Sequence, residues 1–204
     1  MKEKGVKIGM SVVGLLIAGF SVGLFKYSNF GTDPFQIFVE GIHSKTTLSY
    51  GLVYALINAL VILFVFICNK RYIGIATVLN LFLIGYVVEF CQIILQLLIP
   101  SPDLVIRIVL LAIGFIFLCL GTALYITADL GVSPFSAISL IMADKKIAKF
   151  EYCRIFTDVA CVVVGFFMHA TIGIGTVISA FIMGPFIAFF RRTISDPLLL
   201  KLIK

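Results

Sequence analysis

Charged residues are scarce in this sequence of 204 residues, where Asp, Glu, Lys and Arg make up only 13% of the chain. A soluble domain of this length needs more polar surface than that, so a soluble globular protein is excluded. What is present instead is apolar sequence: 61% of the residues are hydrophobic, and the mean hydropathy is +1.18. Apolar runs long enough to cross a hydrocarbon core of about 30 Å recur along the chain. Lipid offers the backbone no hydrogen bonds, so these runs are predicted to be helices. The strand alternation of an outer-membrane barrel is missing.

The motifs of catalysis and metal binding are also missing. The sequence has no His-Glu-x-x-His motif, no pair of intramembrane aspartates and no Ser/His pair at matching depth. The five cysteines form no Cys-x-x-Cys pair, which favours packing residues over a metal site or a disulfide. We therefore expect no enzyme, no cofactor and no metal. The net charge of +6 does not indicate nucleic acid as a partner, because no soluble domain carries a basic face.

The sequence repeats itself at a spacing of about 100 residues. Leu24–Phe35 reads LFKYSNFGTDPF and Leu124–Phe135 reads LYITADLGVSPF, with Leu, Gly, Pro and Phe at equivalent places. Ile73–Tyr86 matches Ile172–Pro185 at an offset of 99, with seven of fourteen positions identical. Two matched blocks in the same order predict a single membrane domain, 1–204, made of two homologous halves, 1–99 and 100–204.

Each half is predicted to hold three long spans and one short segment, which makes about six transmembrane helices in an all-α polytopic protein. The spans are 7–27, 49–68, 73–98, 105–127, 152–170 and 172–190. Three spans per half is an odd number, so the second half is expected to start on the opposite side of the membrane. Inverted repeats of this kind are typical of secondary transporters, whose substrate site lies between the halves.

The distribution of basic residues supports this topology. With the N-terminus inside, the inner segments hold thirteen lysines and arginines and the outer ones hold three. The inner ones are Lys2, Lys4, Lys7, Lys70, Arg71, Lys145, Lys146, Lys149, Arg154, Arg191, Arg192, Lys201 and Lys204, and the outer ones are Lys26, Lys45 and Arg107. Because basic residues favour the cytoplasmic side, both termini are predicted to be cytoplasmic.

A short helix is predicted after the first span of each half. The segments Gly31–Phe35 and Gly131–Phe135 both read Gly-x-x-Pro-Phe, with Asp33 or Ser133 as the N-cap before a proline. These helices run to about Ser44 and Ala143 and are too short to span. They either lie on the membrane surface or enter it from opposite sides as half-helices. In the second case their N-termini meet near the midplane and favour an anionic group.

Several ionisable residues are expected inside the membrane and are therefore functional candidates. Glu89 is the deepest, and with Gln92 it forms a polar stripe that lines either a cavity or a helix contact. Asp158 follows Arg154 by one turn, and the spacing favours a local ion pair near the inner surface over a coupling role. Glu40 and His43 are either a proton relay or the exposed face of a surface helix.

The candidate substrate contacts and coupling residues follow from these patterns. The substrate contacts are Gly31, Thr32, Asp33, Pro34, Phe35, Gly131, Ser133, Pro134, Phe135, Glu89 and Gln92. The coupling candidates are Glu89, Asp158, Glu40 and His43.

The paired Gly-x-x-Pro-Phe segments, the three-span halves and the length resemble the YczE/YyaS/YitT group of bacterial membrane proteins over most of the chain. The motif is carried by Leu-Gly-Val-Ser-Pro-Phe at 130–135, while the first copy departs from it with Phe30-Gly31-Thr32-Asp33. The resemblance implies a multi-pass protein of the bacterial cytoplasmic membrane. It supplies no substrate and no catalytic residue.

These features favour a small secondary transporter or facilitator of a small solute, for which the helix dipoles suggest an anion. The alternatives are a membrane-embedded substrate-binding subunit of an ATP-driven importer, which needs a P-loop partner, and an accessory membrane protein. The expected partners are the lipid bilayer and the solute, and a homodimer is left open.

Overall fold

The computed structural model describes residues 2–48, 50–170 and 172–203, and within them the chain is helical without strands. The helices are α1 Lys2–Ser28, α2 Pro34–His43, α3 Tyr50–Cys68, α4 Ile75–Leu98, α5 Leu104–Ala128, α6 Pro134–Asp144, α7 Phe150–Phe167, α8 Ile174–Phe190 and α9 Asp196–Ile203. A 3-10 turn, Lys70–Tyr72, precedes α4, and a π-helical segment, Arg191–Ser195, joins α8 to α9. The all-α prediction is confirmed.

Within the described residues, four stretches are long and apolar enough to cross a membrane: Glu3–Ser28, Ile75–Leu98, Leu104–Ala128 and Ile174–Ile203. Two of the predicted spans fall short of this. The described apolar part of α3 is the shorter Leu52–Cys68, and α7 carries Glu151, Arg154 and Asp158 within its 18 residues. Large apolar side chains cover the exterior, among them Phe82 at 70% and Phe167 at 75% exposure. Such an exterior suits lipid, and the protein is a helical membrane protein.

The core is built around an antiparallel pair, α1 and α5. A Cβ built on Gly14 of α1 lies 2.8 Å from the Gly121 carbonyl oxygen of α5, and one built on Gly114 of α5 lies 3.1 Å from the Ser21 carbonyl oxygen of α1. Residues 114 and 121 are the equivalents of 14 and 21 in the repeat. The two helices therefore make the same contact twice, in opposite directions, as small residues at a close crossing allow.

Each loop that follows α1 or α5 is hydrogen-bonded to the other half of the repeat, and we call this arrangement the loop exchange. The Phe30 carbonyl accepts a hydrogen bond from the Gly175 amide at 2.9 Å, and the Leu130 carbonyl accepts one from the Ala76 amide at 3.0 Å. These bonds join each loop to the start of the last helix of the other half. They explain why α4 and α8 begin two residues later than predicted: residues 73–74 and 172–173 stay outside the helix, and Gly74 and Gly173 are extended in front of it.

Two threonines strengthen this exchange. The Thr176 hydroxyl donates to the Thr32 carbonyl at 2.7 Å, and the Thr77 hydroxyl donates to the Val132 carbonyl at 2.8 Å. The glycine beside each contacted residue has a positive φ, +118° at residue 31 and +99° at residue 131. Both positions require glycine, because residues with a side chain rarely adopt a positive φ and a Cβ at either position would also collide with a threonine hydroxyl.

At the end where α5 finishes, polar contacts join the two halves. Arg71 and Asp129 form an ion pair at 2.6 Å, and the Tyr72 hydroxyl donates to the Asp144 carboxylate at 2.6 Å. Burial and this hydrogen bond raise the pKa of the Tyr72 phenol above its usual range. The phenol therefore remains protonated, and it remains the donor to Asp144.

The halves differ in how their last two long helices pack. A Cβ on Gly184 of α8 lies 2.7 Å from the Glu151 carbonyl oxygen of α7, whereas one on Gly85, the equivalent residue of α4, meets nothing within 4 Å. Over their described residues, α3 and α4 are at most marginally in contact, while α7 packs along α8. The first half therefore has a gap between α3 and α4, and the corresponding gap between α7 and α8 is closed.

Candidate functional site

The N-termini of the two short helices meet inside the protein. The rings of Phe35 and Phe135 stack with centroids 5.0 Å apart and an interplanar angle of 25°. Asp33 caps α2, its Oδ1 accepting the Phe35 amide at 3.0 Å, and Ser133 caps α6, its Oγ accepting the Ser136 amide at 3.2 Å. The predicted capping roles of both residues are confirmed. Their side chains close the first turn of each helix beside the stacked rings.

A cavity of about 120 Å³ lies beside the stacked rings, and we call it the central cavity. Most of its lining comes from equivalent positions of the two halves. The equivalent pairs are Ala18/Leu118, Val22/Thr122, Asp33/Ser133, Phe35/Phe135, Gln36/Ser136, Tyr54/Arg154 and Ile84/Met183, and the remaining residues are Asn58, Asn80, Tyr125 and Pro134. A cavity lined in this way lies where the two halves of the repeat meet.

Among the residues that the structure describes, Arg154 is the one cation that lines the central cavity. Its Nε donates to Asp158 Oδ2 at 3.0 Å, its Nη1 donates to the Ser136 hydroxyl at 3.0 Å, and its Nη2 lies 3.6 Å from Met183 Sδ. The guanidinium carbon stands 4.8 Å from the centroid of the Phe135 ring. The cation is thus held against the first turn of α6 by an anion, a hydroxyl and an aromatic face.

The Arg154–Asp158 ion pair predicted from the spacing is present, and both of its side chains are buried inside the protein. The side chains of Arg154 and Asp158 are only 7% and 0% exposed. The reason is that α6 lies across α7, so that Ser139 and Thr157 share a hydrogen bond of 2.8 Å on the same face. Asp158 Oδ1 is buried and has no hydrogen-bond partner among the described residues. The aspartate therefore holds Arg154 in place through the ion pair and does not itself line the cavity.

A hydroxyl cluster surrounds the start of α6. The Tyr125 hydroxyl lies 3.3 Å from Ser133 Oγ and 3.2 Å from Ser136 Oγ, and the two serine oxygens are 2.8 Å apart. Because hydroxyls rotate and both donate and accept, this cluster can donate to a guest in the cavity together with Arg154.

A second cleft of about 290 Å³ adjoins the central cavity and shares Val22, Gln36, Tyr54, Asn80 and Ile84 with it. We call it the α3–α4 cleft: α4 supplies most of its lining, and the rest comes from Tyr54 of α3 and from residues of α1 and α2. Lys26, Glu89 and Gln92 line its far part, toward the end of the molecule where α1 and α4 finish. Glu89 is exposed in this cleft and lies outside the central cavity.

The other predicted residues lie elsewhere. Gly31 and Thr32 line an outer pocket of about 400 Å³ together with Glu40. Gly131 packs against Gly74 and Thr77 in the loop exchange. His43 ends α2 and is half-buried, apart from the central cavity. Pro34 is fully buried at the start of α2.

Sequence analysis alone missed several cavity residues, chiefly Gln36, Tyr54, Tyr125 and Ser136, and did not recognise Arg154 as one of them. A signal was available for most: the offset of 100 that aligns the loops also aligns Tyr54 with Arg154 and Gln36 with Ser136. Among the described residues, no group of three His, Cys, Asp or Glu side chains is placed to hold a metal ion.

Comparisons with known proteins agree with the resemblance read from the motifs. A protein of Haemophilus influenzae described as uncharacterized is 28% identical over 188 residues, which cover 92% of this chain and 84% of that protein. YyaS of Bacillus subtilis is 22% identical over 189 residues, covering 93% of this chain and 94% of YyaS.

The membrane protein YczE of Bacillus subtilis is 24% identical over 177 residues, which cover 86% of this chain and 81% of YczE. No solved structure matches the chain. The profile of a family of unknown function, DUF6198, matches residues 6–192, nearly the whole length of the sequence. The chain belongs to the family of unknown function DUF6198.

Proposed function

We propose that the chain is a small secondary transporter or facilitator of a small solute. It has six transmembrane helices, α1, α3 and α4 in one half and α5, α7 and α8 in the other, with both termini in the cytoplasm. The observation that carries the proposal is the central cavity, most of whose lining comes in equivalent pairs from the two halves and which adjoins the α3–α4 cleft of the first half.

The antiparallel crossing of α1 and α5 supports the inverted arrangement. If both helices span, equivalent helices of the two halves point in opposite directions, as the odd number of spans per half requires. The short length of α3 and the charges of α7 are compatible with spanning. Arg154 and Asp158 of α7 face the protein interior and each other, not lipid. The meeting of Phe35 and Phe135 favours half-helices that enter from opposite sides over surface helices.

The unequal packing of the two halves supports an alternating-access mechanism. The α3–α4 cleft connects the central cavity with the end where Lys26 and Arg107 lie, which the distribution of basic residues makes the outer side. The mirror-image path between α7 and α8 is closed at Gly184. Since the two halves are homologous, exchanging their packing would close the outer path and open an inner one.

The test compares two matched single cysteines in a cysteine-free background, Asn80→Cys in α4 and Ser179→Cys at the equivalent place in α8. Asn80 lines the open cleft, and Ser179 is 0% exposed. We expect an impermeant maleimide to label Asn80→Cys rapidly from outside and Ser179→Cys slowly from inside, as the minor inward-open state is visited. Ala123→Cys, in the core, is the unlabelled control.

Labelling of Ser179→Cys no faster than that of Ala123→Cys from either side would contradict alternating access. An accessory role, or a fixed binding subunit, would then be favoured.

A further inference from the structure

The central cavity carries one charge of each sign at the starts of the two short helices. Asp33 precedes α2 and Arg154 lies against the start of α6, and the other described residues that line the cavity are uncharged. Arg154 is paired with Asp158, whereas the Asp33 carboxylate accepts backbone amides of its own helix. The cavity therefore presents an anionic wall and a cationic wall at the same time.

The cationic wall is suited to a carboxylate. The guanidinium of Arg154 carries more N–H groups than its three recorded contacts use, and one of those contacts goes to a thioether, a weak acceptor. The hydroxyls of Tyr125, Ser133 and Ser136 lie around it. The N-cap of α6 is a neutral serine, so the partial positive charge of this helix end is not neutralised by its cap.

The anionic wall is suited to an ammonium group. Asp33 places a carboxylate at the N-terminus of α2, where an uncharged cap such as Ser133 serves the other half, so its negative charge is more than capping requires. The rings of Phe35 and Tyr54, which pack edge to face with centroids 6.0 Å apart, line the cavity beside Asp33. Aromatic faces attract cations, and they add to the attraction of the carboxylate.

The size of the central cavity limits the guest. A volume of about 120 Å³ corresponds to the liquid volume of roughly four water molecules, at about 30 Å³ each. A guest with one ammonium and one carboxylate fits this space only if little else is attached, as in glycine or alanine.

We propose that the central cavity binds a small zwitterion of the amino-acid type, its carboxylate toward Arg154 and its ammonium toward Asp33. This rests on the proposed transport function for its role in the cell, but binding can be measured separately. It replaces the anion suggested by helix dipoles alone, because Asp33 offsets the dipole of one of the two short helices.

The test measures binding of L-alanine, propionate and ethylamine to the full-length protein in lipid nanodiscs by calorimetry. Propionate lacks the ammonium and ethylamine lacks the carboxylate. We expect L-alanine to bind at least about tenfold more tightly than either, since each end adds a charge-assisted contact. Equal affinities for L-alanine and propionate, or for L-alanine and ethylamine, would overturn the proposal, and so would the absence of L-alanine binding.

Two variants test the anionic wall and the cationic wall separately. Asp33→Asn keeps a good N-cap residue and is expected to weaken L-alanine binding about tenfold while leaving propionate binding unchanged or tighter. The double variant Arg154→Gln/Asp158→Asn removes both buried charges together, and it should weaken L-alanine while sparing ethylamine. Lys146→Gln, on an exposed turn outside the cavity, is the control. Unchanged L-alanine affinity in a folded Asp33→Asn protein would overturn the proposal.

Flux into proteoliposomes distinguishes the two proposals. Binding of L-alanine without its uptake supports the zwitterion site and contradicts the transporter. Uptake of propionate without binding of L-alanine overturns the zwitterion site and leaves the transporter standing.

Discussion

At the scale of single residues, Arg154 and Asp158 determine the character of the cavity. They lie one turn apart on α7 and are almost fully buried. The equivalent residues of α3 are Tyr54 and Asn58, where the Asn58 amide donates to the Tyr54 carbonyl at 2.9 Å and no charge is present. The ion pair is thus a difference between two homologous helices, and it gives the second half the cation that the first half lacks.

Removing only one member of this pair is expected to be costly. Arg154→Gln leaves the Asp158 carboxylate buried without its cation, which should lower the free energy of unfolding by about 3–5 kcal/mol. Arg154→Gln/Asp158→Asn should recover most of that loss, because no charge is left unpaired. Thermal unfolding in detergent measures both. The control is Arg192→Gln, which removes an exposed pair with Glu151 and should cost at most about 1 kcal/mol. A double variant no more stable than the single one would show that the charges are not coupled.

The spacing of Arg154 and Asp158 was enough to predict their pairing, since residues four apart face each other on any helix. Their burial was not predictable from spacing. Depth depends on α6 crossing α7, which brings residues 18 apart, such as Ser139 and Thr157, into contact.

At the scale of elements, the exchanged loops hold the two halves together. The Thr176 hydroxyl bonds to both the amide and the carbonyl of Thr32. The Thr77 hydroxyl donates to the Val132 carbonyl, and the Tyr72 carbonyl lies within 3.1 Å of the same hydroxyl oxygen. Each threonine sits in the first turn of the last long helix of one half and fastens the loop before the short helix of the other. The short helices are therefore positioned by the opposite half.

Thr77→Val and Thr176→Val should weaken this attachment equally. Valine fills the same space without the hydroxyl, so a buried backbone carbonyl loses its donor, and we expect about 1–3 kcal/mol of destabilisation at either site. Thermal unfolding checks the stability, and hydrogen exchange at the start of α2 or α6 reports the local loosening. Thr77→Ser and Thr176→Ser keep the hydroxyl and serve as controls. Serine variants as unstable as the valine ones would show that the methyl groups matter, not the hydrogen bonds.

The N-caps of the short helices were predictable from their residues, because capping is local: an oxygen at Asp33 or Ser133 reaches the amides two or three residues on. The starts of α4 and α8 were not, because the apolar pattern continues through Gly74 and Gly173. A loop of the other half accepts a hydrogen bond from the amide two residues after each glycine, at Ala76 and Gly175. Each glycine is extended and precedes the first residue of its helix.

At the scale of the whole molecule, the two halves of the sequence repeat are not packed alike. Gly184 lies in contact with α7, whereas Gly85 faces open space. Two states related by exchanging these packings would use equivalent positions of the two halves, so we expect their free energies to be close. A protein with two such states can be switched by a guest that binds one of them more tightly.

The topology that this mechanism needs can be tested at one matched pair of exposed lysines. Lys45 follows α2 and Lys145 follows α6, at the offset of the repeat. In a cysteine-free background, an impermeant thiol reagent should label Lys45→Cys only from outside and Lys145→Cys only from inside. A permeant reagent, which should label both, is the control for reactivity. Labelling of both sites from one side would mean that the halves are parallel, and the case for a transporter would lose its main support.

The helical class, the membrane environment, the repeat and its offset are all readable in the sequence, because long apolar runs, capping residues and turn glycines act over short stretches of chain. Tertiary packing determines the rest: the location of the cavity, the burial of Arg154 and the opening between α3 and α4. Homologous halves carry nearly the same local signals, so those signals cannot determine which half closes. That difference arises from contacts between residues far apart in the chain, such as Gly184 with Glu151, for which Gly85 has no counterpart among the described residues.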